Sequence, residues 1–435
     1  MTSETLVQLK QQGVLAQLEA AEHAEQDQDL AFLQQALRRA ERDDALRLHE
    51  QDVRPGCGVG DNFSSVVTRN TVRGKRGNGS DYQRSVFVKR ALAHDSFRCL
   101  AAFAKEAEAY AVVVPPLSRA LGPGPGLPLP QCLHASCSEH PDHIVLEDLG
   151  GAGFCMAAKG RALDRAHATL ALRALGRFHG ASLALRRADP AAFRRLRAGA
   201  GTAELIFFPE AEAVFGASLR ATAVLAVLSL ERSGRADLGR RLAARAADAG
   251  VFREMCDAVL PPPDDGDVPG VFTHGDCWAN NLLFRYNEDG RPSEAKLIDL
   301  AGMRYSSPAL DLLHLLYSSV DRKVRTQHRA ELLDAYLVAL RGAGGLQHEH
   351  EHQHGHGLSR ARLEREMRVR APFGLWMGLW MLPAIFHSAC VLDPPPAPAD
   401  YFTQATQARL CAALSPDFHR RVLDLVEEYA DSGLL

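Results

Sequence analysis

Apolar positions change their period several times along the chain. Leu6, Leu9, Leu15 and Leu18, and then Phe32, Leu33 and Leu37, recur at helical spacing in an Ala-, Leu-, Gln- and Glu-rich stretch that runs to about residue 47. The spacing predicts helices there, separated by the polar run at 25–29. Near Pro55 the texture changes. Phe63–Val72 is rich in β-branched residues and reads as a strand, and residues 74–80 read as a turn. Ser85–Lys89 is a second short strand. Phe97–Val114 has helical spacing and is expected to stop at Pro115-Pro116. Cys132–Cys137 and His143–Glu147 read as a pair of strands.

After Gly153 the period becomes helical, over Leu163–Leu185 and again over Glu204–Phe252. Short strand-like pieces interrupt it at Gly270–Thr273, Leu282–Arg285 and Ala295–Ile298. Helices resume at Ala309. This order predicts an α+β chain with a small strand-rich lobe followed by a larger helical one. The expected divisions are a helical extension over 1–47, a small lobe over 48–150 and a large lobe over 151–435. The run Phe373–Leu392 is apolar enough to suggest a membrane helix, but Gly374, Gly378, Pro383 and His387 interrupt it. We read it as a buried helix, with no membrane span expected.

Composition adds exclusions. The chain has 435 residues, 46% hydrophobic and 24% charged, which suits a folded globular protein. Fifty Lys and Arg against 53 Asp and Glu give a formal charge of −3, so no large positive field draws it to nucleic acid. Nine cysteines scattered along the chain do not resemble a disulfide framework, and the polar start lacks a signal-peptide core. A cytoplasmic location is expected. The run Gln347–His356 alternates histidines; a solvated loop is preferred there over a weak Zn²⁺ or Ni²⁺ site.

The chemistry concentrates in Thr273-His-Gly-Asp-Cys-Trp-Ala-Asn-Asn-Leu-Leu-Phe284, followed by Lys296-Leu-Ile-Asp-Leu300. Phosphoryl transfer from a nucleotide needs an Asp to take or orient the proton of the attacking hydroxyl. It also needs oxygen ligands for Mg²⁺. Asp276 suits the first role; Asn281 and Asp299 suit the second. Lys89 ends an apolar strand, where it can meet phosphates if a carboxylate positions it, and Glu106 in the next helix is the candidate partner. Gly58–Ser65 supplies Gly60, Asn62, Ser64 and Ser65 in a segment whose backbone N–H groups can approach a polyphosphate. The strand ending in Glu147, Asp148 and Leu149 can offer backbone groups to adenine. Asp311 opens an apolar helix, where a buried carboxylate needs hydrogen bonds. It is expected to cap that helix or bind the catalytic-loop backbone. Trp376, Trp380 and Phe386 read as core first and as an apolar acceptor pocket second. His179 and Ser182 read as packing or hydrogen-bonding residues.

On these residues the sequence resembles the ecdysteroid-kinase-like (CHK-kinase-like) family, a branch of the choline kinase and aminoglycoside phosphotransferase group. The matching segments are Gly60-Asp-Asn-Phe-Ser-Ser65, Val88-Lys89, Phe103-x-x-Glu-x-x-x-Tyr110, Leu146-Glu-Asp-Leu149 and Phe178-His-Gly-Ala-Ser182. To these add His274-Gly-Asp-x-Trp-x-Asn-Asn281, Ile298-Asp299 and Ser307-Pro-Ala-Leu-Asp-Leu312. The resemblance implies a bilobal protein-kinase-like fold and transfer of the γ-phosphoryl group of ATP to the hydroxyl of a small-molecule alcohol, with a steroid as the named example. It implies Asp276 as base, Asn281 and Asp299 as Mg²⁺ ligands, and Lys89 and Glu106 on the phosphates. Asp61, Leu300-Ala301 and Cys277 depart from the family pattern without removing a reactive group. Choline, ethanolamine or aminosugar acceptors are the alternative, as is a nucleotide-binding pseudokinase. No Ala-Pro-Glu segment follows Asp299, which argues against a protein kinase. The oligomeric state is not readable from the sequence.

Overall fold

The computed structural model describes residues 29–56, 65–91, 97–136, 143–158, 160–264, 266–345, 358–386, 400 and 402–435. These form two compact units. One holds the described residues within Met1–Ala93 and Gln131–Gly151; the other holds those within His94–Pro130 and Ala152–Leu435. The chain is α+β, with strands dominating the first unit and helices the second.

The first unit is a five-stranded antiparallel sheet with a helix packed on it. Helix α1 covers 29–41. The strands are β1 (Arg47–Pro55), β2 (Ser65–Lys75), β3 (Asp81–Ala91), β4 (Cys132–Ser136) and β5 (His143–Glu147), in the order β1-β2-β3-β5-β4. Leu33 and Leu37 of α1 join Leu46, Val72, Tyr82, Val86, Val88 and Val145 in one buried cluster. Glu41, at the end of α1, accepts hydrogen bonds from Arg76, Arg84 and Tyr82, which pins the helix to the β2–β3 hairpin. Strand β1 follows the helical stretch, in residues to which the sequence pattern assigns no element. Its residues are polar and mostly exposed, so no alternation announces it; pairing with β2 makes it a strand.

The second unit begins with α2 (Phe97–Glu108), a π-helical turn at Ala109–Val113, and α3 (Val114–Leu121). The helix therefore does not stop at Pro115-Pro116. The wider π turn precedes them, and the prolines occupy the first turn of α3, where no N–H is required. The short strand β6 (Phe154–Met156) is followed by α4 (Arg165–Ala188) and α5 (Pro190–Arg197). Residues 204–208, which the sequence pattern assigns to a long helix, are irregular, and Pro209–Ala211 form a single 3-10 turn. The Glu204 side chain takes the backbone N–H groups of Leu205, Ile206 and Phe207, which holds the chain out of a helix. Then come α6 (Glu212–Arg232), α7 (Ala236–Arg245), α8 (Val251–Val259) and the strands β7 (Val271–Thr273), β8 (Leu282–Tyr286), β9 (Pro292–Leu297) and β10 (Arg304–Ser306). Strand β7 pairs with β10, and β8 lies between β6 and β9. The remaining helices are α9 (Ala309–Ser319), α10 (Arg322–Gln327), α11 (Arg329–Gly344), α12 (Arg360–Val369), α13 (Ala371–Phe386), α14 (Gln404–Ala413) and α15 (Pro416–Asp431).

The apolar segment at 373–392 is largely α13, a 16-residue helix whose bulky residues are mainly buried; residues 387–392 lie outside the described residues. The stretch Pro209–Arg232 is long and apolar enough to cross a membrane, and half of its apolar window is buried inside the fold.

Helices α4 and α11 pack with their backbones in close approach. A Cβ at Gly176 would sit 2.4 Å from the Tyr336 carbonyl oxygen, and one at Gly180 2.5 Å from that of Leu340. Helix propensity alone makes Gly→Ala stabilising by about 1 kcal/mol. Here steric overlap reverses the sign, and we expect Gly176→Ala to destabilise by about 1–3 kcal/mol. Urea denaturation reads the sign directly; a gain in stability would show that the two helices have room to spare.

Candidate active site

Strand β7 delivers the chain into the loop 274–281, which is fixed from three sides. The Asp311 carboxylate, at the start of α9, accepts the backbone N–H of His274 at 2.6 Å and that of Gly275 at 2.9 Å. His179 of α4 lies 2.9 Å from the same carboxylate through Nε2, and its Nδ1 lies 2.9 Å from the Tyr336 hydroxyl of α11. His179 thus links Asp311 to Tyr336 through its two ring nitrogens. Asp311 is 1% exposed. Burial pushes its carboxyl upward, but the hydrogen bonds from His179 and from the Gly275 N–H hold it at about 2. Its sequence-expected role on the catalytic-loop backbone is therefore what the structure contains.

His274 makes the second tie. Its Nε2 is 2.9 Å from the Ile298 carbonyl and its Nδ1 accepts the Asp276 N–H at 3.3 Å. Burial pushes this imidazole down and keeps it neutral, as those two bonds require. Gly275 makes the third. Its φ is +82°, and a Cβ there would lie 1.7 Å from the Gly302 carbonyl oxygen. Only glycine lets the two loop backbones cross.

The reactive side chains converge on this frame. Asn281 Nδ2 donates to both the Asp276 carbonyl and Asp276 Oδ2 at 2.8 Å. Ile298 is bonded on both sides, its N–H to the Asn281 carbonyl at 3.0 Å and its carbonyl to His274. That places Asp299, the next residue, against the loop. Asp299 has φ +69°, a rare conformation for a non-glycine, and its Oδ1 accepts the Ala301 N–H at 3.2 Å. Glu106 of α2, 1% exposed, accepts the next backbone N–H, that of Leu300, at 3.4 Å. Desolvation and the charge of Asp299 push Asp276 up to about 7, while 37% of its side chain stays open to solvent. Two carboxylates that repel each other, with a carboxamide whose nitrogen is already committed, leave oxygen atoms for a hard cation. Mg²⁺ suits such a set, since it takes one or two carboxylates and completes its shell with water and phosphate oxygens. Among the described residues no group of three or more His, Cys, Asp or Glu is arranged to hold a metal by itself.

Asp276, Asn281, Asp299 and Glu106 thus meet in the second unit. Ser65, Lys89, Glu147 and Leu149 stand in the first. Lys89 lies on β3 opposite Val67 and Ile144; Ser65 opens β2 opposite Ala91. The Glu147 carboxylate accepts the Gln131 N–H at 3.0 Å, and Leu149 is buried. Gly60, Asn62 and Ser64 lie outside the described residues, as does the His-rich segment 347–356. Ser182 Oγ accepts the Phe272 N–H at 3.0 Å, the hydrogen-bonding role expected of it. Trp376 is fully buried with Nε1 on Glu254 at 2.6 Å, and Phe386 packs edge-on against Phe418. Both are core. Trp380 is half-buried, 5.9 Å from Phe207, which in turn meets Phe373.

Sequence reasoning missed a buried ionic group beside the loop. Arg304 of β10 pairs through Nε with Glu204 Oε2 at 2.8 Å and donates through Nη2 to the Gly275 carbonyl at 3.3 Å. Lys105 is buried nearby, its amine pushed down to about 7 by burial and by Arg304. Cys277 is 1% exposed and burial raises its thiol well above the usual range, so it is no nucleophile.

The ecdysteroid kinase-like family model matches residues 59–344, two thirds of the chain and every segment just described around the loop. The chain belongs to the ecdysteroid kinase-like family. That membership indicates a small-molecule kinase, a nucleotide-binding phosphotransferase. Similar solved structures include a choline/ethanolamine kinase family protein from Mesorhizobium loti, at 15% identity, 86% of this chain, 92% of that one and a TM-score of 0.35. Another is the GDP complex of aminoglycoside 2′-phosphotransferase-IIIa, at 12% identity, 93% of this chain, 99% of that one and a TM-score of 0.37. A third is a Plasmodium vivax ethanolamine kinase, at 12% identity, 87% of this chain, 84% of that one and a TM-score of 0.32. No curated protein matches the chain in sequence.

The hold on the loop of this family member has a pH signature. The folded Asp311 carboxyl sits near 2 against an ordinary value of about 3.9. A depressed carboxyl contributes its full stabilisation above the ordinary value and loses it as pH falls through the folded one. Asp311→Asn removes that titration. We expect wild type to exceed the variant in urea midpoint by a constant margin above pH 5, with the margin shrinking as pH falls from about 4 toward 2. A margin that does not move would show that Asp311 is not the ionised anchor.

Proposed function

We propose that the protein transfers the γ-phosphoryl group of ATP to the hydroxyl of a small apolar alcohol, with a steroid as the leading candidate. The observation that carries this reading is the assembly of Asp276, Asn281 and Asp299 around one loop whose backbone is clamped by Asp311. Asp276 accepts the proton of the attacking hydroxyl. Its raised carboxyl suits a general base, since proton transfer is most efficient when that value lies near the working pH. Asn281 Oδ1 and the Asp299 carboxylate would hold Mg²⁺, which when bound neutralises phosphate charge. Lys89 is the phosphate-holding cation. Backbone groups of Ser65, with Gly60, Asn62 and Ser64, are assigned to the phosphates, and those at Glu147 and Leu149 to the base.

The apolar acceptor is supported by Trp380, whose ring stays partly exposed at the edge of the buried pair Phe207 and Phe373. Cys132, Cys155, Cys256, Cys277 and Cys411 are free thiols, in keeping with the cytoplasmic placement we propose.

Mg·ATP offered with a polyhydroxylated steroid, choline and an aminoglycoside, with mass detection of the added phosphate, tests the acceptor class. Phosphate on the steroid alone supports an apolar acceptor; phosphate on choline or the aminoglycoside replaces it. Asp276→Asn should lower turnover by about 10²–10⁴ while nucleotide affinity stays near wild type. Undiminished turnover in that variant would remove Asp276 from the role of base.

A further inference from the structure

Helix α9 is buried along its whole length and is mostly apolar, Ala309-Leu-Asp-Leu-Leu-His-Leu-Leu-Tyr-Ser-Ser319. Three of its polar residues, Asp311, His314 and Ser319, follow the catalytic loop in order. Asp311 takes the N–H groups of His274 and Gly275. Ser319, two turns later, accepts the Ala279 N–H at 2.9 Å. Between them His314 faces Asp276, its Nε2 3.9 Å from Asp276 Oδ1. Asp311 and Ser319 are hydrogen-bonded. His314 is not: among the described residues neither of its ring nitrogens has a hydrogen-bond partner, and the residue is fully buried.

A buried imidazole with both nitrogens unsatisfied costs stability, and a leucine there would not. Packing gives no reason for it. The ring is edge-on to Phe373, 6.4 Å between centroids, a contact that an apolar side chain would also make. The Asp311 charge also acts on the ring, and the carboxylate that Nε2 itself approaches is that of Asp276. That carboxylate is held at Oδ2 by Asn281, and its Oδ1 is the atom turned toward His314.

We propose that His314 is a positioning residue for Asp276: its Nε2–H orients Oδ1 and so aims the carboxylate at the acceptor hydroxyl. The proposal deepens the phosphotransfer reading and rests on it. Burial pushes the imidazole down to about 3, so the ring is neutral and acts as a fixed dipole through a single N–H. At 3.9 Å the contact is longer than a hydrogen bond. Catalytic contacts of this kind are commonly long in the free enzyme and shorten in the substrate complex. Asp311, His274 and Ser319 hold the loop backbone, while Asn281 holds the far oxygen of Asp276 and the Trp278 side chain adds a further hydrogen bond to that carboxylate. His314 adds a donor on the side of the near oxygen, Oδ1.

The test measures thermal stability and steady-state phosphotransfer for wild type, His314→Leu, His314→Gln and Asp276→Asn. Mg·ATP is used with water alone and with a polyhydroxylated steroid, choline and an aminoglycoside. His314→Leu should keep or raise the Tm, because it removes unsatisfied buried nitrogens. It should lower kcat by roughly 10- to 100-fold, the usual cost of losing an outer partner, with KM for ATP unchanged. His314→Gln, whose amide N–H reaches a similar position, should recover most of the loss. A purely structural histidine predicts the reverse, a lower Tm in His314→Leu, with kcat falling only in step with the folded fraction in every variant; that result would overturn the proposal. Wild-type kcat in His314→Leu beside an inactive Asp276→Asn would overturn it alone. Full turnover in Asp276→Asn, or a wild type silent with water, the steroid, choline and the aminoglycoside alike, would overturn the phosphotransfer reading and this proposal together.

Discussion

A single buried carboxylate organises the catalytic loop. Asp311 accepts two consecutive backbone N–H groups, from His274 and Gly275, and is itself held by His179, which leans on Tyr336. An ionised group in this position is unfavourable unless it is fully hydrogen-bonded, and here the bonds come from the loop that follows β7, from α4 and, one step removed, from α11. The loop therefore has its shape only when three distant stretches of chain have already packed. The glycines of α4 serve the same end, because they let α11 come near enough for Tyr336 to reach His179.

The second constraint is the crossing of two loops. Gly275 and Gly302 meet backbone to backbone, and Asp299 takes a left-handed conformation on the way into that crossing. Such geometry persists only where its surroundings leave no alternative. Here Ile298 is bonded on one side to Asn281 and on the other to His274, so the chain arrives at Asp299 with its direction already set. Three potential oxygen donors end up together although they are separated by up to 23 positions in sequence.

What could be read from the sequence was local or chemically costly. Asp276 and Asn281 are five residues apart on one loop, and their spacing alone suggests a shared role. Asp311 stood out because an acidic residue at the start of an apolar helix demands partners. The β2, β3 and β5 strands were visible through β-branched content. Strand β1 was not, since a polar edge strand takes its structure from the neighbour it pairs with. Pro115-Pro116 misled because a π turn upstream converts a helix end into a helix start. The Arg304–Glu204 pair was invisible because its partners lie 100 residues apart. His314 carried a faint signal, the one ionisable residue inside Leu312-Leu-His-Leu-Leu316.

Cys277 gives the arrangement one more consequence. Its sulfur sits next in sequence to the candidate base, yet it is enclosed and held as the unreactive thiol. An alkylating reagent can meet it only in molecules whose loop has come apart. Modification at that atom thus counts openings of the catalytic centre, and the native chain carries its own chemical clock for how often the centre breathes.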